Sequence, residues 1–98
     1  MVARNYRSPR RRGEIDLIGW DKDELCFIEV KTRTTRDVKP AEVAVDFEKQ
    51  HDLREVAREY LCKVPGEPAT RFDIVSVYFE GVAPVFEIFK NAFPYERM

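Results

Sequence analysis

The chain has 98 residues, 44% of them hydrophobic and 36% charged, with a net charge of −1. That length suits one domain over residues 1–98 with a modest core, the composition excludes a disordered chain, and no apolar run reaches the ~20 residues of a membrane-spanning helix. Two cysteines and one histidine exclude a disulfide framework and leave too few ligands for an ordinary structural zinc site, which points to the reducing cytoplasm.

The chain opens on a basic arm. Arg4, Arg7, Arg10, Arg11 and Arg12 give residues 1–12 a charge of +5 with no acid, against −6 for the remainder. Such an arm suits phosphate contact; on charge alone, that reading and a solvated terminus stand equal. The opening residues lack the apolar stretch of a secretory signal. Val2–Arg7 reads as a short strand or a frayed end, and Ser8-Pro9-Arg10-Arg11-Arg12-Gly13 as a turn or loop.

Glu14–Trp20 reads as a strand, Asp21–Glu24 as a hairpin turn and Leu25–Thr32 as a second strand. In the second strand Cys26, Ile28, Val30 and Thr32 face one way and Leu25, Phe27, Glu29 and Lys31 the other. Apolar residues on both faces predict a central strand covered on both sides. A polar loop over Thr34–Pro40 leads to a helix from about Asp46, its expected N-cap, to Val64. Leu53, Val56, Ala57, Tyr60, Leu61 and Val64 recur at helical spacing and define its core face. Pro65-Gly66-Glu67-Pro68 stops the helix. Arg71–Glu80 is a third strong strand, Gly81 turns the chain into a last strand around Val85–Lys90, and residues 91–98 read as an extended tail. The order predicts an α/β fold around a mixed sheet with one main helix.

Two strands carry acids where core residues are expected. Glu14 and Asp16 are two apart and share a face of the first strong strand; Glu29 and Lys31 are likewise spaced on the second. A tight turn makes the strands antiparallel neighbours, so Asp16 and Glu29 converge. Burying such groups costs several kcal/mol unless they pair or hold a cation. An ion pair between Glu29 and Lys31 is the structural reading of one strand; the acids beside it shift the balance toward a site. Asp16, Glu29 and the Val30 backbone carbonyl form an oxygen donor set of the kind that Mg²⁺ or Mn²⁺ accepts. Lys31 suits orienting a water and stabilising a transition state. The reaction class this suggests is metal-assisted phosphodiester hydrolysis.

Lys49 and Gln50 fall on the helix stripe of Leu53, where pointing into a cleft and capping the core rim are equal readings. Arg33 and Arg36 follow the Glu-x-Lys strand and suit phosphate contact or a solvated loop. His51 reads as surface, Trp20 as core or rim, Cys26 and Cys62 as buried packing residues, and Asp73 as a structural partner of Arg71.

Asp followed on the next strand by Glu-x-Lys resembles the PD-(D/E)xK nuclease superfamily, which includes restriction enzymes and archaeal Holliday-junction resolvases. Ala3-Arg4-Asn5-Tyr6-Arg7, Gly13-Glu14-Ile15-Asp16-Leu17-Ile18, Phe27-Ile28-Glu29-Val30-Lys31-Thr32-Arg33, Pro40-Ala41-Glu42, Lys49-Gln50, Arg71-Phe72-Asp73 and Asn91-Ala92-Phe93 resemble the YraN family of bacterial endonuclease-like proteins. The resemblance implies a restriction-endonuclease-like mixed sheet, with metal binding at Asp16 and Glu29, catalytic assistance from Lys31 and an accessory place for Glu14. Members of that family usually carry a helix before the Ala-Arg-Asn-Tyr-Arg block, and this sequence begins at that block. The functional expectation is a Mg- or Mn-dependent nuclease acting on DNA, with a non-cleaving nucleic-acid-binding module as the alternative. With one helix for two sheet faces, the sequence also predicts a homodimer or strand-exchanged oligomer.

Overall fold

A computed structural model of the protein describes residues 2–10, 12–33 and 47–94, with the side chains of Arg33 and Glu80 left out. The expectations placed on Arg11, Arg36, Thr34–Pro40, Pro40-Ala41-Glu42, Asp46 and residues 95–98 lie outside the described residues, as does the Arg33 side chain.

Five strands and one helix follow the predicted order: β1 (Ala3–Arg7), β2 (Glu14–Asp21), β3 (Glu24–Arg33), α1 (Phe47–Leu61), β4 (Ala69–Glu80) and β5 (Ala83–Phe93). They build one mixed sheet in the order β1-β2-β3-β4-β5, an α/β architecture. β3 and β4 run parallel and the other neighbours antiparallel. A tight turn joins β2 to β3: Asp21 faces Glu24, and Lys22 takes the left-handed conformation (φ 57°) that such hairpins demand. The parallel pair needs a crossover, and the segment containing α1 supplies it.

α1 lies on one sheet face. Leu53, Val56 and Ala57 bury against Ile15, Phe27, Phe72 and Ile74, with Leu61 and Val64 flanking them. Tyr60 meets Tyr6 and Phe27 edge-on at 5.0 and 6.1 Å between ring centroids. Each fully buried Leu or Val here is worth about 1.5–3 kcal/mol over leaving it in water.

The other face departs from the expectation of cover on both sides. The register pairs Val75 with Ile88, Val77 with Phe86 and Phe79 with Pro84, away from α1. Phe79, Phe86 and Ile88 are 59–61% exposed there.

β5 also runs further than Val85–Lys90. Residues 91–93 belong to the strand rather than to a tail, because Phe93 stacks on Phe72 at 4.6 Å and is buried. A bulge opposite Asp73 makes this possible by shifting the register. Asn91 takes φ 53° in it, and its amide donates to Asp73 Oδ1 at 2.9 Å. Cys26 is buried as expected, whereas Cys62, just past the last turn of α1, is exposed. Trp20 sits at the rim, and His51 is exposed.

Candidate active site

The β2–β3 ladder runs from Asp21↔Glu24 to Leu17↔Ile28. Beyond it, the Val30 amide donates to Asp16 Oδ2 at 2.8 Å, so a side chain serves where a backbone carbonyl would. Strand alternation breaks at the same point: Ile15 and Ile18, three apart, both enter the core. On β1, Asn5 lies opposite this step, between the pairs Arg4↔Leu17 and Tyr6↔Ile15, and has φ 50°. Asp16 thereby comes beside the Glu29 carboxyl across the two strands, close enough for each to shift the other's ionisation. A strand residue's N–H and C=O leave by the same edge, so the Val30 carbonyl also faces the β2 side.

Glu29 is only 6% exposed, and two lysines converge on one of its oxygens. Lys49 Nζ lies 2.5 Å and Lys31 Nζ 3.5 Å from Oε2. Lys31 shares the face of Glu29 by strand alternation; Lys49 arrives from the first turn of α1. Burial alone would raise the Glu29 carboxyl, but Lys49, the Asp16 contact and Lys31 outweigh it and hold it below the usual glutamate range. Asp16 moves the opposite way. Burial raises it, the Val30 amide opposes, and the contact with Glu29 adds to the rise. The hydrogen bond to Glu29 in turn raises Lys49. The environment moves the two carboxyls in opposite directions, Asp16 up and Glu29 down.

The structure does not draw every predicted acid into this cluster. Glu14 pairs with Arg7 Nε at 3.0 Å on the β1 side. Gln50 accepts from Arg54 Nη2 at 3.0 Å. The basic arm is partly docked on α1. Ser8 Oγ donates to Glu59 Oε2 at 2.5 Å, the Arg10 amide donates to Ser8 Oγ at 3.1 Å, and Arg10 Nη2 lies 3.9 Å from Glu59. Gly13, at φ 94°, packs over Asp52, where an added Cβ would stand 3.5 Å from the Asp52 Cβ. The loop therefore follows the helix for about two turns, ~10 Å, toward Lys49. An open cleft of about 290 Å³ lined by Gly13, Glu48, Lys49, Asp52 and Leu53 lies at that end. Arg4 and Arg12 are exposed.

Sequence reasoning missed Arg54. It is buried, donates from Nε to the Pro94 carbonyl at 2.9 Å and covers the Phe93 ring at 5.6 Å. Its signal is a charged residue between Leu53 and Val56, inside the helix's apolar stripe. The expected Arg71–Asp73 pair is present at 3.0 Å, and Arg71 also bonds Glu24 and Asp21 at 2.8 and 2.9 Å.

Fold and cluster together define a class: a small α/β protein whose mixed sheet opens beside two carboxyls and two lysines. The family model described as uncharacterised protein family UPF0102 matches residues 1–77. The chain belongs to this family. It is 55% identical over 93 residues to a UPF0102 protein of Koribacter versatilis, covering 95% of this chain and 65% of that protein. It is 48% identical over 94 residues to a UPF0102 protein of Solibacter usitatus, covering 95% and 70%. A UPF0102 protein of Acetivibrio thermocellus is 41% identical over 99 residues, covering 95% and 75%. The chain thus spans about two thirds to three quarters of the length of these relatives. Among the described residues, no helix is long and apolar enough to cross a membrane.

Proposed function

We propose that the protein is a divalent-cation-dependent nuclease that hydrolyses phosphodiester bonds in DNA, as the likeness to YraN and PD-(D/E)xK proteins implies. The observation that carries this reading is the meeting of Asp16, Lys31 and Lys49 on Glu29, where the β2–β3 ladder gives way. The donor chemistry suits a hard cation: Asp16 and Glu29 supply carboxyl oxygens, the Val30 carbonyl on the β2 side would add a third, and water completes such shells readily. Asp16, Glu29 and Val30 would hold Mg²⁺ or Mn²⁺, and the bound ion supplies charge neutralisation and an acidified water.

The chain's own residues do the rest. Lys31, anchored on Glu29, places an ammonium where it steadies a nucleophilic water and offsets charge developing on phosphate. Lys49 adds positive charge at the cleft mouth. Arg10 and Arg12, on the loop that follows α1 toward that cleft, suit sequence-independent contact with the backbone.

A non-cleaving nucleic-acid module has one observation in its favour. Lys49 and Lys31 already neutralise Glu29, and among the described residues no third His, Cys, Asp or Glu completes a metal-ligand cluster. Incubating the protein with linear, branched and single-stranded DNA in Mn²⁺ separates the two. Cleavage by the wild type that Asp16→Ala abolishes supports the enzyme; salt-sensitive DNA binding without cleavage supports the module.

A further inference from the structure

Among the described residues, nothing covers the apolar sheet face opposite α1. Val30, Val75, Val77, Phe79, Phe86 and Ile88 adjoin one another across β3, β4 and β5. Phe79, Phe86 and Ile88, each about 60% exposed, present roughly 100 Å² apiece. With the half-buried valines, the patch reaches on the order of 500 Å², at the upper range for a monomer.

We propose that this face is a homodimer interface in which two copies pack their sheets face to face about a two-fold axis, the sheets ~10 Å apart. Area argues for a second copy. A standard interface buries about 800 Å² per partner, and at the ~65% apolar content of homodimers that is on the order of 500 Å² of apolar surface. Charge argues the same way. A two-fold contact sets the patch against itself, so an unbalanced charge would repel its own copy. The six patch residues are uncharged, and at the border Arg71 and Lys90 stand among Asp21, Glu24 and Asp73, which brings that cluster within one charge of balance. The candidate active site is on the α1 side of the sheet, so dimerisation through this face leaves both sites open.

Sedimentation or light scattering of the 98-residue chain between about 1 and 100 µM tests the proposal, since a dimer's mass depends on concentration. The expected mass is twice 11.6 kDa at the upper end. Phe86→Asp should weaken the dimer by about thirtyfold or more, the effect of a central hot-spot residue. Val82→Asp, at a fully exposed apolar residue in the β4–β5 turn, should leave it unchanged. Phe86→Ser, with circular dichroism to confirm folding, repeats the test should the aspartate variant unfold. A wild type monomeric throughout, polydisperse aggregates, or a dimer indifferent to both Phe86 variants would each overturn the proposal.

Discussion

Asp16 takes the Val30 amide with its side chain at 2.8 Å, one step beyond the last β2–β3 backbone pair. This hydrogen bond satisfies a donor that the parting strands would otherwise strand, at a cost of about 1–3 kcal/mol if left unpaired. The same carboxyl touches Glu29, so the residue that seals the opening in the ladder also builds the candidate site. Asp73 and the Asn91 amide repeat the device at the bulge in β5.

Asp16→Asn keeps an acceptor for Val30 and removes a carboxyl whose ionisation the fold resists. A raised carboxyl contributes most below its unfolded value, near 3.8, and loses that contribution as pH climbs through its folded value. The variant should therefore be more stable than wild type at pH 7, a common trade at functional sites. The gain should fade toward about pH 4. Urea denaturation at both pH values checks it; a gain of equal size at both would trace to something other than ionisation.

Glu29 carries the opposite dependence. Its lowered pKa adds stability above the ordinary glutamate value, near 4.5, and that stability drains away as pH falls through the lower folded value. Glu29→Gln should remove this acid-limb loss and leave Lys31 and Lys49 without their counter-charge. We expect a net loss of about 2–4 kcal/mol at pH 7 and a flatter stability profile below pH 4.5. Thermal melts of both proteins from acid to neutral pH provide the comparison.

Much of this fold was legible because its elements announce themselves by period. Leu53, Val56 and Ala57 at helical spacing find the core as expected, and Asp16 and Glu29 are brought together as the short β2–β3 turn implies. What escaped depends on irregularity. No alternation rule foretells that Ile15 and Ile18 bury together, that Asn91 turns the chain so Phe93 can stack on Phe72, or that Arg54 is a buried tie. Such bulges and buried charges are set by partners distant in sequence, as Arg54 and Pro94, 40 positions apart, illustrate.

Lys31 and Lys49 share an oxygen but differ in setting, since Lys49 is the more exposed of the two. If the nuclease reading holds, Lys31→Met should lower cleavage by about 10²–10³-fold, the scale of losing one transition-state stabilising group. DNA affinity should change only a few-fold. Lys49→Met should act mainly through affinity. Cleavage rates at saturating DNA, set beside binding isotherms in Ca²⁺, distinguish the two lysines; equal losses of rate would erase the distinction.

The arm makes a separate prediction in salt. Each phosphate contact on duplex DNA contributes about 0.9 to the slope of log affinity against log salt. Arg10→Ala with Arg12→Ala should flatten that slope by about 1–2. The Glu59 contact of Arg10 is long, at 3.9 Å on an 81% exposed side chain, and yields readily to phosphate. Binding titrations across salt concentrations give the slope directly, and an unchanged slope would return the arm to the status of a solvated segment.

Arg54 ties two distant parts of the chain, and its geometry sets what a substitution costs. One guanidinium donates to Gln50 on its own helix and to the Pro94 carbonyl just beyond β5, while lying over Phe93. Lysine keeps the charge but cannot span these acceptors, because a single ammonium lacks the fixed fork. Arg54→Lys should therefore cost about 1.5–3 kcal/mol, the value of a hydrogen bond to a buried charged group. The loss should appear first at the end of β5, as faster hydrogen exchange at Phe93, before the α1 core responds. Exchange that accelerates uniformly across the sheet would mean that Arg54 supports the whole core rather than pinning its last strand.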